Sequence, residues 1–266
     1  MKYEFAALTD VGRMRQNNED SVAYTIETGV AVLADGMGGY NAGEVASGMS
    51  TAFLNSELSR WVQQAGKKPN LADIKRAISI CVGNANLSVF NAANSNPSYQ
   101  GMGTTLVVGV LQQDHLILGH IGDSRAYLLR GEAFSQITKD HSMLQEQIDA
   151  GLITPEQAPF AANKNLVTRA VGVGAFVDTE IHEHPITAGD IFLFCSDGLS
   201  DMISADTMAQ MLKNHNIPLQ SRAQALIDAA NAAGGRDNIS VLLIQAHPGS
   251  EKSGLATQLG KLFSKK

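Results

Sequence analysis

Residues 30–39 read VAVLADGMGG, an apolar run that ends at Asp35 and is followed by glycine. Far along the chain, residues 191–200 read IFLFCSDGLS and repeat this arrangement at Asp197. Short apolar runs bounded by turn residues are typical of buried strands. A carboxylate at the end of a buried strand is costly unless a positive charge compensates it. The source of that charge therefore decides what the protein can do.

The composition is that of an ordinary globular protein, with 266 residues, 44% of them hydrophobic and 17% charged. The net charge of −6 gives no basic excess for nucleic acid or an anionic membrane surface. The first residues lack the pattern of a signal peptide, and no apolar run is long enough to span a bilayer. The two cysteines, Cys81 and Cys195, are far apart in sequence. We expect a cytoplasmic protein with no transmembrane segment and no nucleic-acid partner.

Strand-like and helix-like segments occur in blocks rather than in strict alternation. Apolar and β-branched runs predict strands over residues 5–9, 21–26, 30–34, 104–111, 115–121, 125–130, 133–137, 181–184, 190–195 and 239–245. Helical spacing of apolar residues predicts helices over 44–64, 71–93, 205–213 and 221–233. Because the connecting turns are short, consecutive strands are antiparallel neighbours. The pattern predicts an α+β fold, with antiparallel sheets and helices on their outer faces.

Two further segments bear on the domain organisation. Residues 141–165 have a mixed polar sequence that predicts a short helix followed by an irregular loop. Residues 248–254 read PGSEKSG, which is typical of a linker, so we expect a folded domain over 1–247 and a linker with a short tail over 248–266. Apolar tail residues share one helical face and could dock a partner or a membrane surface, although such a terminus is more often solvated.

Four aspartates stand next to glycine or asparagine at the ends of predicted strands: Asp35, Asp123, Asp197 and Asp237. Any one of them taken singly is most simply a turn residue. Four carboxylates at one end of packed sheets repel one another unless a cation lies among them, and Mg²⁺ and Mn²⁺ prefer oxygen ligands. The carbonyl oxygen of Gly36 is a further candidate, since glycine allows close backbone approach. An acidic site with two ions suits the hydrolysis of phosphate esters.

A substrate phosphate also needs a cation of its own. Arg15, in GRMRQNNEDS, is a candidate because a guanidinium group matches two phosphate oxygens. Chemistry alone equally allows a surface arginine paired with Glu19 or Asp20. The sequence around Arg15 therefore does not decide between a phosphate-binding arginine and a surface ion pair.

Eight short motifs, in order, resemble those of the metal-dependent protein phosphatases, the type 2C serine/threonine family, in its bacterial branch. They lie between residues 9 and 245 and read RQNNEDS, ADGMGG, GMGTTL, IGDSRAY, TKDHS, LVTRAVG, SDGLSD and GGRDNIS. The resemblance implies a four-layer α-β-β-α sandwich of two antiparallel β-sheets flanked by helices. It also implies hydrolysis of phosphoserine and phosphothreonine by direct attack of a metal-bridging hydroxide. The implied partners are phosphoprotein substrates and a bacterial serine/threonine kinase whose action the enzyme opposes, and we expect a monomer.

The resemblance implies a role for each candidate ligand. Asp35 would bridge two Mn²⁺ or Mg²⁺ ions, and the carbonyl oxygen of Gly36 would bind the second ion. Asp197 and Asp237 would hold the first ion. Asp123, together with Asp197, matches the site of a third and weaker ion.

The resemblance also implies roles around the metals. Arg15 matches the phosphate-binding arginine, so it joins Asp35, Asp197 and Asp237 as the implied catalytic residues. Glu19 and Asp20 would orient water on the metals. Supporting hydrogen bonds are expected from Thr104, Ser124 and Asn238.

The sequence departs from the family pattern at two places. Met37 stands where many eukaryotic relatives have a histidine proposed as the general acid, and methionine cannot donate a proton. His120 and His141 are the nearest alternatives in sequence. Residues 161–165 read AANKN in place of the His-Pro-x-Arg-Asn run of bacterial relatives, so no substrate contact carries over to them.

Two other functions compete with a phosphatase. A catalytically weak relative could bind phosphoproteins as a regulatory module, but loss of a metal aspartate would mark it and all four are present. A nuclease could use a similar acidic site, but the acidic composition disfavours it. The sequence contains no Gly-x₄-Gly-Lys-Ser/Thr loop, the motif that would suggest a nucleoside triphosphatase.

Overall fold

The computed structural model describes residues 1–39, 42–66, 69–154, 157 and 166–249. The strands are β1 (Lys2–Asp10), β2 (Asp20–Thr25), β3 (Val30–Met37), β4 (Gly103–Thr104), β5 (Leu106–Gln112), β6 (His115–Ile121), β7 (Arg125–Arg130), β8 (Ala133–Gln136), β9 (Glu180–Pro185), β10 (Ile191–Cys195) and β11 (Ile239–His247). The α-helices are α1 (Ala42–Ala65), α2 (Leu71–Ser95), α3 (Met143–Asp149), α4 (Asp197–Ser200), α5 (Ala205–Leu212) and α6 (Leu219–Ala232). A 3₁₀ turn at Pro97–Tyr99 follows α2.

The strands form two sheets in which neighbouring strands are antiparallel. One sheet has the order β1-β11-β10-β7-β8, and the other has the order β2-β3-β5-β6-β9 with β4 paired to β3. One hydrophobic cluster lies between the second sheet and α1 with α2, and another lies between the first sheet and α5 with α6. A third cluster lies between the two sheets. The predicted α-β-β-α sandwich is confirmed.

Strand β3 has no polar side chain before Asp35 because both of its faces are covered. Val30 and Val32 pack with the helices, while Ala31 and Leu33 pack between the sheets. All four side chains are fully buried. A strand covered on both faces reads as a continuous apolar run. Asp35 is therefore the point at which β3 leaves the core and reaches the cleft described below.

Two features near the ends of strands were not predicted from the sequence. The predicted strand 104–111 is divided into β4 and β5 at Thr105. The backbone N–H of Thr104 donates to the Val171 carbonyl oxygen, whereas that of Thr105 donates to the Asp35 carbonyl oxygen. Asp197 begins the short helix α4 directly after β10, with only Ser196 between them.

The predicted short helix after residue 141 is present as α3, where the Ser142 side chain accepts from the Gln145 N–H. Residues 155–156 and 158–165 lie outside the described residues, so the predicted irregular loop and the run at 161–165 stay predictions. The tail beyond residue 249 also lies outside them, and the domain boundary after residue 247 stays a prediction. Within the described ranges, no helix combines the length and hydropathy that a bilayer crossing requires.

Candidate metal centre

All four predicted aspartates line one cleft of about 330 Å³. The residues that line it are Arg15, Glu19, Asp35, Gly36, Met37, Gly38, Thr105, Asp123, Val167, Asp197 and Asp237. Five carboxylates and one guanidinium group therefore face the same space, which leaves a large excess of negative charge. Of the other predicted site residues, Asp20 and Asn238 are buried.

Asp35 is held at the end of β3 by its own backbone. Its N–H donates to Thr105 Oγ1 at 3.0 Å, and its carbonyl oxygen accepts from the Thr105 N–H and from Thr104 Oγ1, both at 2.9 Å. Thr105 Oγ1 is also hydrogen-bonded to Ser124 Oγ at 2.7 Å. Because these bonds use the backbone of Asp35, its carboxylate can face the cleft. Thr104 and Ser124 supply the supporting hydrogen bonds that the sequence predicts.

Gly36 lies where three backbone segments meet. Its N–H donates to the Glu19 carbonyl oxygen at 3.1 Å, and a Cβ atom at this position would lie 2.6 Å from that oxygen. It would collide even more severely with the Gly43 carbonyl oxygen at the start of α1. Only glycine fits, so the main chain itself forms this part of the cleft wall.

Asp197 and Asp237 come together because α4 packs against the start of β11. A Cβ atom at Gly198 would collide with the Asn238 carbonyl oxygen and lie 3.4 Å from Asp237 Cβ. The backbone of Asp197 therefore passes close to that of Asp237. Burial, followed by the charges of Asp123 and Asp237, raises the pKa of Asp197 to about 8.

The pKa values of three other carboxylates are raised by burial as well. Burial, followed by the charges of Asp20, Asp197 and their neighbours, raises the pKa of Asp35 well above its usual range. Burial raises the pKa of Asp20 and of Asp123 to about 6. Carboxylates with raised pKa values in a shared cleft are frequent at functional sites. The raised pKa values also indicate that the protein's own basic residues do not neutralise these clustered carboxylates.

Asp20 lies opposite Asp35 in the β2–β3 pair. Its Oδ2 atom accepts from Ser196 Oγ at 2.7 Å, whereas its Oδ1 atom is buried and has no hydrogen-bond partner among the described residues. An unpaired buried carboxylate oxygen beside an all-oxygen donor set fits a hard divalent cation and the water around it. The residues present therefore fit Mn²⁺ or Mg²⁺.

Among the described residues that line the cleft, Arg15 is the one basic residue. Its Nη2 atom lies 2.7 Å from Asp237 Oδ2 in a salt bridge that joins residues 222 positions apart. The sequence left open a pairing with Glu19 or Asp20, and the salt bridge of this structure goes to Asp237 instead. Half of the Arg15 side chain is exposed, so the guanidinium group is accessible to an anion entering the cleft.

Asn238 connects the loop that carries Arg15 to the start of β11. Its Nδ2 atom donates to the carbonyl oxygens of Val11 and Asn17, and its Oδ1 atom accepts from the Glu19 N–H at 2.8 Å. Its own N–H donates to Asp237 Oδ1 at 2.8 Å. One buried amide therefore fixes both sides of the cleft.

We expect Asn238→Ala to lower the free energy of unfolding by about 3 kcal/mol and Tm by about 6–12 °C, because it removes the side-chain hydrogen bonds to three backbone groups. Calorimetry in EDTA measures this loss without any contribution from bound metal. Asn94→Ala is the matched control, since Asn94 is exposed and bonds only within α2. Equal Tm values for the two variants would contradict the role of Asn238.

Two supporting residues were missed by sequence reasoning. Thr105 follows Thr104 in the GMGTTL motif, and this adjacency to an expected hydrogen-bonding residue was the available signal. Ser196 precedes Asp197; its Oγ atom donates to Asp20 and accepts from the Ser240 N–H at 3.0 Å. Nothing in the sequence connects Ser196 with Asp20, 176 residues away.

A second group of ligand-type side chains lies outside the cleft lining. One side-chain atom from each of His120, His141 and Glu180 lies within 4.8 Å of the other two. Neither histidine is among the residues that line the cleft, so neither faces a substrate there. Met37 does line it and offers no proton.

The chain is similar to known proteins in sequence and in fold. The family model described as Protein phosphatase 2C matches residues 12–239. The serine/threonine phosphatase stp of Listeria innocua is 35% identical over 240 residues, which cover 89% of this chain and 93% of that protein. The serine/threonine phosphatase PstP/Ppp of Mycobacterium tuberculosis has a TM-score of 0.84 at 35% identity, over 93% of this chain and all of that one.

A solved PstP catalytic domain in complex with two manganese ions has a TM-score of 0.81 at 37% identity, and the match covers 92% of this chain and 99% of that one. The family model, the sequence identities and the matched lengths all agree. This chain belongs to the protein phosphatase 2C family.

Proposed function

We propose that the protein is a Mn²⁺- or Mg²⁺-dependent phosphatase that hydrolyses phosphoserine and phosphothreonine in proteins. The observation that carries this proposal is the convergence of Asp35, Asp123, Asp197 and Asp237 on one cleft beside Arg15. The relatives named above are serine/threonine phosphatases, and one of them holds two manganese ions. The oxygen donors suit Mn²⁺ and Mg²⁺ equally, so these comparisons favour manganese without excluding magnesium.

In this proposal, Asp35, the Gly36 carbonyl oxygen, Asp197 and Asp237 would hold two cations, and Asp123 with Asp197 would hold a third. When bound, these cations lower the pKa of water and neutralise the charge that develops on the phosphoryl oxygens. The aspartates lie on strand β3, on helix α4 and in two connecting loops, and the sandwich core holds these elements in place without a cation.

The remaining residues bind and orient. Arg15 binds two phosphoryl oxygens of the substrate, which displace Asp237 from the guanidinium group. Glu19 at the cleft and the buried Oδ1 atom of Asp20 would accept hydrogen bonds from water around the cations and so orient it. Since Met37 cannot protonate the leaving serine or threonine oxygen, we propose that solvent water supplies this proton.

Hydrolysis of p-nitrophenyl phosphate and of a phosphothreonine peptide, with Mn²⁺ and with EDTA, tests the proposal. We expect turnover of both substrates with Mn²⁺ and none with EDTA. An inert protein that still binds the phosphopeptide would show a binding module instead. Cleavage of nucleic acid in place of the phosphopeptide would show a nuclease.

Arg15→Ala should raise KM for the phosphopeptide about 10- to 100-fold, because a charge-assisted hydrogen bond to phosphate contributes about 1.5–3 kcal/mol. Steady-state kinetics at saturating Mn²⁺ measure this effect. Arg13→Ala is the matched control, since Arg13 is exposed in the same loop but does not line the cleft. The assignment fails if both variants change KM equally.

The biological setting of the enzyme stays a prediction. We propose that it acts in the cytoplasm as a monomer and opposes a bacterial serine/threonine kinase. Phosphoproteomics of a deletion strain would identify the substrates as proteins whose serine or threonine phosphorylation rises. Sedimentation of the purified chain would measure its oligomeric state.

A further inference from the structure

The cluster of His120, His141, Glu180 and His182, called here the histidine cluster, has a defined pattern of hydrogen bonds. His141 Nε2 and His182 Nε2 lie 3.1 and 2.6 Å from the two carboxylate oxygens of Glu180. The ring of His120 stacks on that of His141 with 4.7 Å between the centroids. His120 and His141 are both buried.

The hydrogen bonds of His141 leave it no free lone pair for a metal ion. The backbone N–H of Gly122 donates to His141 Nδ1 at 3.1 Å, and a backbone N–H can only donate. Nδ1 therefore carries no proton, and Nε2 carries the proton donated to Glu180. A cation at Nε2 would require a proton at Nδ1, facing the Gly122 N–H. The geometry thus favours a structural pairing over a second metal site.

Gly122 is held from two sides. Besides its bond to Nδ1, its carbonyl oxygen accepts from the His141 N–H at 2.9 Å. Its φ angle is +98°, and a Cβ atom there would lie 2.8 Å from Thr105 Cβ. Gly122 is therefore wedged between His141 and Thr105, the residue that holds the Asp35 backbone. The next residue in the chain is Asp123.

His141 also fixes the root of the segment that follows it. Its carbonyl oxygen accepts from the Thr168 N–H at 2.9 Å, and Ser142 pairs with Val167 in an isolated β-bridge. Val167 lines the cleft. The side chain and backbone of His141 therefore connect strand β9, the turn before Asp123 and one wall of the cleft.

We propose that His141 is a positioning residue that fixes the Gly122–Asp123 turn and thereby sets the affinity of the Asp123 site for its cation. This inference rests on the metal assignment of the proposed function. The bond that matters is the one from the Gly122 N–H to Nδ1, while the bond to Glu180 holds the ring in the tautomer that can accept it.

Three substitutions separate the two bonds of His141. Asparagine places an acceptor oxygen at the position of Nδ1 but does not reach Glu180. Glutamine extends one bond further, so its amide can reach Glu180 but leaves no acceptor for Gly122. Phenylalanine keeps the stacked ring and removes both bonds.

Mn²⁺ titrations followed by electron paramagnetic resonance of the free ion measure the affinity of each site directly. We expect His141→Gln and His141→Phe to raise Kd of the weakest Mn²⁺ site about 10-fold, as loss of a group that orients a ligand does. His141→Asn should stay within about 2-fold of wild type, since its acceptor is retained. On an Asp123→Asn background, His141→Gln should cause no further change.

Equal Kd values for the Asn and Gln variants would overturn the inference. So would a further 10-fold rise in Kd for Mn²⁺ when His141→Gln is added to Asp123→Asn. If the Phe variant does not fold, the Asn and Gln pair carries the test, with Tm in EDTA as the check on folding. Wild-type protein that binds Mn²⁺ but does not hydrolyse the phosphopeptide would refute the proposed function alone. Wild-type protein that binds no Mn²⁺ would refute both.

Discussion

Asp197→Asn should lower kcat/KM for a phosphothreonine peptide about 1000-fold at saturating Mn²⁺. The reason is that a cation in the cleft is worth several kcal/mol of charge stabilisation in the transition state, at about 1.36 kcal/mol for each factor of ten. The substituted asparagine would keep the size and shape of the side chain but lose the charge that holds the cation. Steady-state kinetics over a range of Mn²⁺ concentrations measure the effect.

Asp206→Asn is the control for this variant, because Asp206 is an exposed aspartate in the first turn of the neighbouring helix α5. Its kcat/KM should equal that of wild type. Undiminished activity in Asp197→Asn would refute the metal assignment.

Asp35→Asn should abolish Mn²⁺ binding and yet raise Tm of the metal-free protein by about 5 °C at pH 8. Asp35 is a buried carboxylate surrounded by others, and its folded-state pKa is raised above the unfolded value. Asparagine is neutral at every pH, so the variant avoids the cost of burying or protonating this carboxyl group, which is about 1–3 kcal/mol, at about 2–4 °C per kcal/mol. In wild type, Mn²⁺ at 100 times its Kd should add about 2.7 kcal/mol of stability, and the variant should lose this gain.

The pH dependence follows from the same shifts. A group whose folded-state pKa is raised contributes stability that is complete below its unfolded pKa and is lost as the pH rises through the folded pKa. For Asp20 and Asp123 this loss is complete once the pH passes about 6, and for Asp197 once it passes about 8. The pKa of Asp35 is also raised well above its usual range, so Asp35 itself loses stability as the pH rises. In EDTA, the Tm advantage of Asp35→Asn should therefore grow from pH 5 to pH 8. An advantage that is the same at both values would contradict the electrostatic explanation.

The fold was predictable where the burial of a residue is reflected in the pattern of its neighbours in the sequence. Val30 to Ala34 are apolar without interruption because both faces of β3 are covered, and that pattern is visible in the sequence. The four aspartates were predictable for a related reason, since each lies within two residues of an apolar strand segment and beside glycine or asparagine.

The contacts that complete the site join residues far apart in the chain, and no local pattern encodes them. The salt bridge from Arg15 spans 222 residues, and the bond from Ser196 to Asp20 spans 176. The hydrogen bond from Gly122 to His141 is shorter in sequence, at 19 residues, but depends on a positive φ angle and on the path of the chain after β8. Strand 104–111 was predicted as continuous because its break at Thr105 is made by bonds to Asp35 and Val171, which the sequence does not place nearby.

Anomalous diffraction from crystals grown with Mn²⁺ is the most direct test of the metal centre. We predict Mn²⁺ peaks within about 2.5 Å of carboxylate oxygens of Asp35, Asp197 and Asp237. Peaks at His120, His141 and Glu180 with none among the aspartates would contradict the account.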